Sequence, residues 1–168
     1  MSLISVRFGH RAIIDGAQMV VTYVTPCELW ERHPLAYHMA EPGSWQSIRK
    51  LGLLSTSALL DLFDVPTATR LPIETRRRRD PVPIERPVYG KAVIRDQKVL
   101  SEKRLANCLT GGMTVIKWLR LLNSRVFLWL DEKRLNVLRG PEAYRAKRQC
   151  VLTVDVRRLV EDYSKRIL

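Results

Sequence analysis

The stretch LAYHMAEPGSWQSIRKLGLLST, Leu35 to Thr56, constrains the fold more than any other part of the chain. It dictates where a strand, a turn, a helix and a helix stop must fall. Leu35-Ala36-Tyr37 leads into His38 as a short apolar run of the length a buried strand has. Pro42-Gly43 turns the chain. Ser44 stands where a hydroxyl can accept from the free amides of a first helical turn. Trp45, Ile48 and Leu51 come next at helical spacing and predict one apolar face. Gly52 supplies a left-handed stop, and Ser55-Thr56 opens the next helix. His38 is thereby expected at a strand end beside the start of a short helix, a common place for a ligand-binding side chain. The same position equally suits a hydrogen-bonded core histidine.

The rest of the chain alternates short elements irregularly. Pro26 opens a helix through Arg32 with Leu29 and Trp30 as its apolar pair, and His33-Pro34 ends it. Ser55 to Phe63 reads as a helix with Leu59, Leu60 and Phe63 inward. Val65 to Pro87 holds five prolines and the run Arg76-Arg77-Arg78-Arg79, and is expected to be mostly extended loop. Val88 to Ile94 reads as a strand. Ser101 caps a helix through Leu109 with Leu105 and Cys108 inward, and Gly111-Gly112 breaks it. Thr114 caps another helix, with Val115, Trp118, Leu119 and Leu122 as a packing stripe. Arg125 to Leu130 is a continuous apolar run, expected as a central strand buried on both faces, with Asp131 capping the next helix. Leu135 and Leu138 face inward, and Gly140-Pro141 punctuates. Cys150 to Val154 is a last strand, and Asp155 caps a helix carrying Val156, Leu159, Val160 and Tyr163 on one face. Without regular strand-helix-strand alternation, the fold class is α+β, a small split mixed β-sheet with short helices packed on it.

Charge decides the classes of partner. Lys and Arg number 29 against 17 Asp and Glu, a net charge of +12. Such a chain attracts polyanions, and nucleic acid is the usual one. The Arg76, Arg77, Arg78 and Arg79 run is the candidate nucleic-acid-binding loop, because guanidinium forks bind phosphate oxygens bidentately. A plainly solvated loop is the alternative. No run has the apolar length of a membrane span, so no membrane partner is expected. Cys27, Cys108 and Cys150 are odd in number and widely spaced, which argues for a reduced, cytoplasmic protein without a disulfide framework. No HExxH, CxxC or His/Cys cluster predicts a metal, and there is neither a glycine-rich phosphate loop nor a GxSxG elbow.

Two resemblances add to this. YHMAEPGSWQSIRKLGLLST resembles the first motif of the ADP-ribosyltransferase superfamily and of the related RNA 2′-phosphotransferases, in which a strand-borne His is followed by a short helix and a "GLL" step. Residues 26–168 also resemble a bacterial family of unknown function in which YHMAE, GLLSTSALLDLF, AVIRDQK and VFLWL recur. The first resemblance implies an ADP-ribosyltransferase-like fold and NAD as cofactor. His38 would then donate to the adenosine-side ribose hydroxyls, with Tyr37 and Ser47 in its neighbourhood. Phe127 or Trp129 would stack on nicotinamide, although the family pattern often has Tyr-Phe where this chain has Leu128-Trp129. Arg125, immediately before that strand, is the candidate phosphate clamp. Plain core packing is the other reading of the aromatics.

The third motif is missing. CVLTVDVRRLVEDYSKRI is similar to a late stretch of the 2′-phosphotransferases, but the catalytic Glu of many transferases has no identifiable counterpart. Glu132, Glu142 and Asp155 sit in no recognisable motif. Either the acid lies beyond Leu168, or catalysis differs, or there is none. The implied function is an NAD-using transferase-like protein acting on nucleic acid. The alternatives are an RNA 2′-phosphotransferase-like enzyme and a basic nucleic-acid-binding domain without chemistry. Residues 1–25 match neither family and are expected to be a mobile N-terminal arm on a single domain at 26–168.

Overall fold

The computed structural model describes residues 3–6, 12–15, 18–21, 24–98, 101–139 and 148–167, with side chains over 24–98, 101–137 and 148–167. It is an α+β protein of short strands, paired two by two, and eight α-helices among the described residues. Strands β1 (Leu3–Val6), β2 (Ala12–Asp15) and β3 (Gln18–Val21) precede α1 (Pro26–Arg32) and β4 (Leu35–Ala40). Then come α2 (Trp45–Leu51), α3 (Thr56–Leu62), α4 (Thr67–Thr75), β5 (Val82–Arg86), β6 (Gly90–Ile94), α5 (Glu102–Cys108) and α6 (Val115–Asn123). Last are β7 (Arg125–Leu128), α7 (Glu132–Arg139), β8 (Cys150–Asp155) and α8 (Val156–Tyr163), which ends in a 3₁₀ turn at Ser164–Arg166. The strand pairs are β1 with β7, β2 with β3, β4 with β8 and β5 with β6. The β2–β3 and β5–β6 ladders are antiparallel. The expected single mixed sheet is thus replaced by separate short ladders.

The chain divides into two compact units. The first is centred on residues 40–126. Its core is Leu60 and Phe63 of the α3 end, Ile73 of α4, Ile84 of β5 and Ile94 of β6, all under 9% exposed. Alternation along β5 and β6 turns Ile84 and Ile94 inward and leaves Pro83, Glu85, Lys91 and Val93 outside. Helix α4 packs on α6 and on α3, and α5 packs on α6. The second unit combines residues 4–39 with 127–168. There α1 packs on α8, and the buried side chains include Leu29, Ala36, Leu128, Leu135, Val156 and Val160. Pro34 accepts from the Val156 amide at 3.0 Å, joining the start of β4 to the start of α8.

Helix starts follow the sequence where a hydroxyl or carboxylate stands ready. Ser55, Ser101, Thr114 and Asp155 each accept from a backbone amide three residues on. Gly52 ends α2 at φ 85 and ψ 169, a region that only glycine enters cheaply. Helix α3 ends differently. Asp64 takes a left-handed conformation at φ 54, and the Val65 amide reaches back to the Leu60 carbonyl at 3.0 Å. That six-residue closure usually employs glycine.

Several expectations are corrected. Ser44 makes no side-chain cap bond, because its own backbone is helical and it belongs to the turn closed by its amide on Glu41. Trp45 is 49% exposed and α2 buries no residue, so its spacing did not make a core face. Val65–Pro87 is not mostly loop: it holds α4 and β5. Pro66 precedes the first turn of α4, where no amide is needed, while Pro72 is accepted inside it at the loss of one bond. Pro83 lies opposite Val93 in a two-stranded ladder, the setting in which a strand tolerates proline. Cys108 is exposed rather than inward. Tyr163 is 41% exposed. Strand β7 is not buried on both faces: Val126 and Leu128 are buried, while Arg125 and Phe127 are partly exposed. Leu138, Gly140, Pro141 and Glu142 fall outside the residues whose side chains are described.

Candidate functional site

In the second unit the backbone joins the two motifs that carry the sequence-predicted site. Tyr37 and Trp129 form an antiparallel bridge, each amide donating to the other's carbonyl at 2.8 Å. His38 Nδ1 lies 2.9 Å from the Phe127 carbonyl oxygen. A carbonyl only accepts, so Nδ1 carries the proton, and the ring is fixed in tautomer and orientation. His38 stands inside β4 rather than at its end, two residues before the last. It is partly buried, as are Tyr37, Phe127 and Trp129. Tyr37, His38, Phe127 and Trp129, drawn from segments about ninety residues apart, are therefore held in one bonded patch.

A second histidine takes part, one that sequence reasoning assigned only to the end of α1. His33 Nδ1 lies 3.1 Å from the Leu130 carbonyl. The segment Phe127 to Leu130 is thus held at three carbonyls: by His38, by the Tyr37 amide and by His33. The available signal was the His33-Pro34 pair, since a residue before proline is extended and its side chain leaves the helix axis. Ser47 and Arg125, also predicted, belong to the other unit. There Ser47 is a partly buried residue of α2, and the Arg125 Nε is buried without a hydrogen-bond partner among the described residues.

The acids near the missing catalytic position are mostly engaged at helix starts. Asp155 caps α8 through the Arg158 amide at 2.9 Å. Asp131 caps α7, accepting from the Lys133 amide at 2.7 Å. Glu132 is exposed in the first turn of α7.

The arginine run divides. Arg76 and Arg79 are exposed, and Arg77 and Arg78 are partly buried. Arg78 donates through Nε to the Arg95 carbonyl at 2.9 Å. Its NH1 donates to the Ile73 carbonyl and to Asn123 Oδ1, both at 2.8 Å. Arg77 Nε donates to the Lys98 carbonyl at 3.1 Å. The backbone joins in, with the Gln97 amide on the Arg78 carbonyl at 2.9 Å and the Arg78 amide on Gln97 Oε1 at 3.1 Å. Burial pushes the Arg78 guanidinium down to about 10, partly opposed by Asp96, and it stays charged at neutral pH.

Behind Arg78 lies a polar network. Asn123, 2% exposed, donates through Nδ2 to the carbonyls of Leu119 and Glu74. The Glu74 carboxylate accepts a guanidinium fork from Arg70, both bonds at 3.0 Å, and the Ser57 hydroxyl at 2.6 Å. Arg70 also pairs with Asp61. Paired acids hold Arg70 above its ordinary guanidinium value. These bonds tie α3, α4, α6 and the segment after β6 together.

No helix of the described residues is long and apolar enough to cross a membrane. No curated protein and no solved structure matches the chain. One protein family does, over residues 34–168. That span includes β4 with His38, β7 with Phe127, and β8, which is the segment the sequence motifs mark. The chain therefore belongs to DUF7002, a family of unknown function.

Proposed function

We propose that this chain is an NAD-using protein of the ADP-ribosyltransferase type, with the nucleotide held along β4 and the end of β7. The observation that supports the reading is the His38–Phe127 hydrogen bond together with the Tyr37–Trp129 bridge. Residues selected from two separate motifs meet in one place. With Nδ1 committed to the Phe127 carbonyl, the imidazole is held in a defined plane for a ribose hydroxyl. The partly exposed Phe127 or Trp129 ring offers an apolar face for the nicotinamide. In the reaction the N-glycosidic bond breaks, nicotinamide leaves with its electron pair, and an acceptor oxygen bonds the ribose carbon and loses its proton. A nearby carboxylate would stabilise the oxocarbenium-like ribose by charge.

Release of nicotinamide from NAD, with and without mixed nucleic acid, tests the reading alongside a thermal shift. NAD at a hundredfold excess over its dissociation constant adds about 2.7 kcal/mol to the folded state. His38→Ala is expected to abolish both the release and the shift while keeping a cooperative melt. A wild-type protein that shows neither NAD-dependent stabilisation nor nicotinamide release overturns it.

A further inference from the structure

We propose that the Arg76–Arg79 segment is a nucleic-acid contact surface in which Arg77 and Arg78 are anchors and Arg76 and Arg79 grip the phosphate backbone. Three observations carry this, and none depends on NAD.

The positive charge of the chain is concentrated. Residues 40–126 hold sixteen Lys and Arg against eight Asp and Glu, so most of the excess of the whole chain lies in one unit. Within that unit most of the acids are committed elsewhere. Glu41 pairs with Arg95, Asp61 and Glu74 with Arg70, Asp64 with Arg86, and Glu85 with Lys91. That leaves Asp80, Asp96 and Glu102. Among the described residues no carboxylate lies within ion-pair distance of Arg76, Arg77 or Arg79.

The segment is also held in place. Arg78 is bonded to the carbonyls of Ile73 and Arg95 and to Asn123, and Arg77 to the carbonyl of Lys98. All these acceptors are uncharged, so they fix the arginines without neutralising them. The Arg78 and Gln97 backbones are bonded to each other as well. A solvated loop needs no such anchoring, whereas a loop that presents cations to a fixed phosphate spacing loses less entropy on binding when pre-ordered.

Finally, the exposed members fit the ligand. Arg76 and Arg79 flank the anchors, and Lys98 opposite them is exposed too, with Asp80 as the adjoining acid. Guanidinium groups bind phosphate oxygens through paired N–H donors. The contact reads backbone charge, not bases, so affinity is independent of sequence and steeply dependent on salt.

The test uses the full chain without NAD and a fluorescent single-stranded DNA of about 20 nucleotides, titrated by anisotropy between about 50 and 200 mM NaCl. Wild type is expected to bind, with log affinity falling linearly against log salt. Arg76→Ser with Arg79→Ser should lower that slope by about 2, one phosphate contact per residue, with the melting temperature unchanged. Lys133→Ser with Arg134→Ser removes the same charge from the exposed face of α7 and should leave the slope as it was. Equal losses in the two double variants would reduce the effect to diffuse basicity and overturn the proposal. So would absence of DNA binding at the lowest salt, or binding to phosphatidylserine vesicles in its place. Failure of this binding leaves the NAD reading standing, and failure of nicotinamide release leaves this one.

Discussion

The Arg78 guanidinium donates to Asn123 Oδ1 at 2.8 Å, 45 residues away in the chain, and Asn123 is 2% exposed. The same amide donates to the carbonyls of Leu119 and Glu74. One side chain thus satisfies a partly buried cation and two carbonyls. Asn123→Ala strips all three, and a group left unpaired inside costs more than a bond contributes when made. The expected loss is about 3 kcal/mol in urea-induced unfolding. Asn123→Asp keeps an acceptor for Arg78 but loses the donor to two carbonyls, so its loss should be smaller. An Asn123→Ala protein as stable as wild type would show that Arg78 relaxes to solvent at no cost.

Glu74 sets a pH dependence. Burial alone would raise its carboxyl, but the Arg70 fork and the Ser57 hydroxyl more than offset that and hold it below the ordinary value of 4.5. In the window between the folded and unfolded values the unfolded chain binds more protons. The stabilisation is therefore complete above pH 4.5, declines as pH falls toward the lowered value, and is lost below it. Chemical denaturation from about pH 7 down to about pH 3 should show that decline. Glu74→Gln should lower stability at neutral pH and flatten this part of the curve. A decline of equal size in Glu74→Gln would assign it to other carboxylates.

Two serines with the same sequence signature should behave differently. Ser55 is 3% exposed and accepts from the Ala58 amide at 3.2 Å. Ser44 has helical backbone angles and no cap bond. Ser55→Ala should cost about 1 kcal/mol or more and Ser44→Ala less than about 0.5 kcal/mol, read from thermal melts. Equal costs would mean that the first turn of α2 draws on the Ser44 hydroxyl in solution.

Features that depend on a few neighbouring residues could be read in the sequence. The starts at Ser55, Ser101, Thr114 and Asp155 and the stop at Gly52 are local chemistry, and they stand where the residues put them. Even there the Thr25–Glu28 capping box was legible and went unread. Burial is a different matter. Trp45 and Ile48 have the spacing of a core face, but whether a face meets anything depends on elements far along the chain, and Trp45 meets water. The proline count misled for the same reason. It reports where amides are missing, and at Pro66 and Pro83 none was required, while the burial of Ile73 and Ile84 holds α4 and β5 in place. At the candidate site, His38, Phe127 and Trp129 stood out by motif, but the His33 contact to Leu130 is a pairing across 97 residues that no local pattern announces. Arg78 looked like its three neighbours, and only Asn123 and Ile73 distinguish it.

The β4–β8 ladder joins residues 35–40 to residues 150–155, whereas the unit built on residues 40–126 is drawn from continuous chain apart from Met1–Leu3. A ribosome releases the chain from its N-terminus, so β4 emerges early and must wait for its partner until almost everything else has been made. During that interval Ala36 and Met39, buried in the finished protein, lack their cover, while Leu60, Ile73, Ile84 and Ile94 already have theirs within reach. A chaperone that samples the nascent polypeptide would therefore find its apolar target at the strand carrying His38.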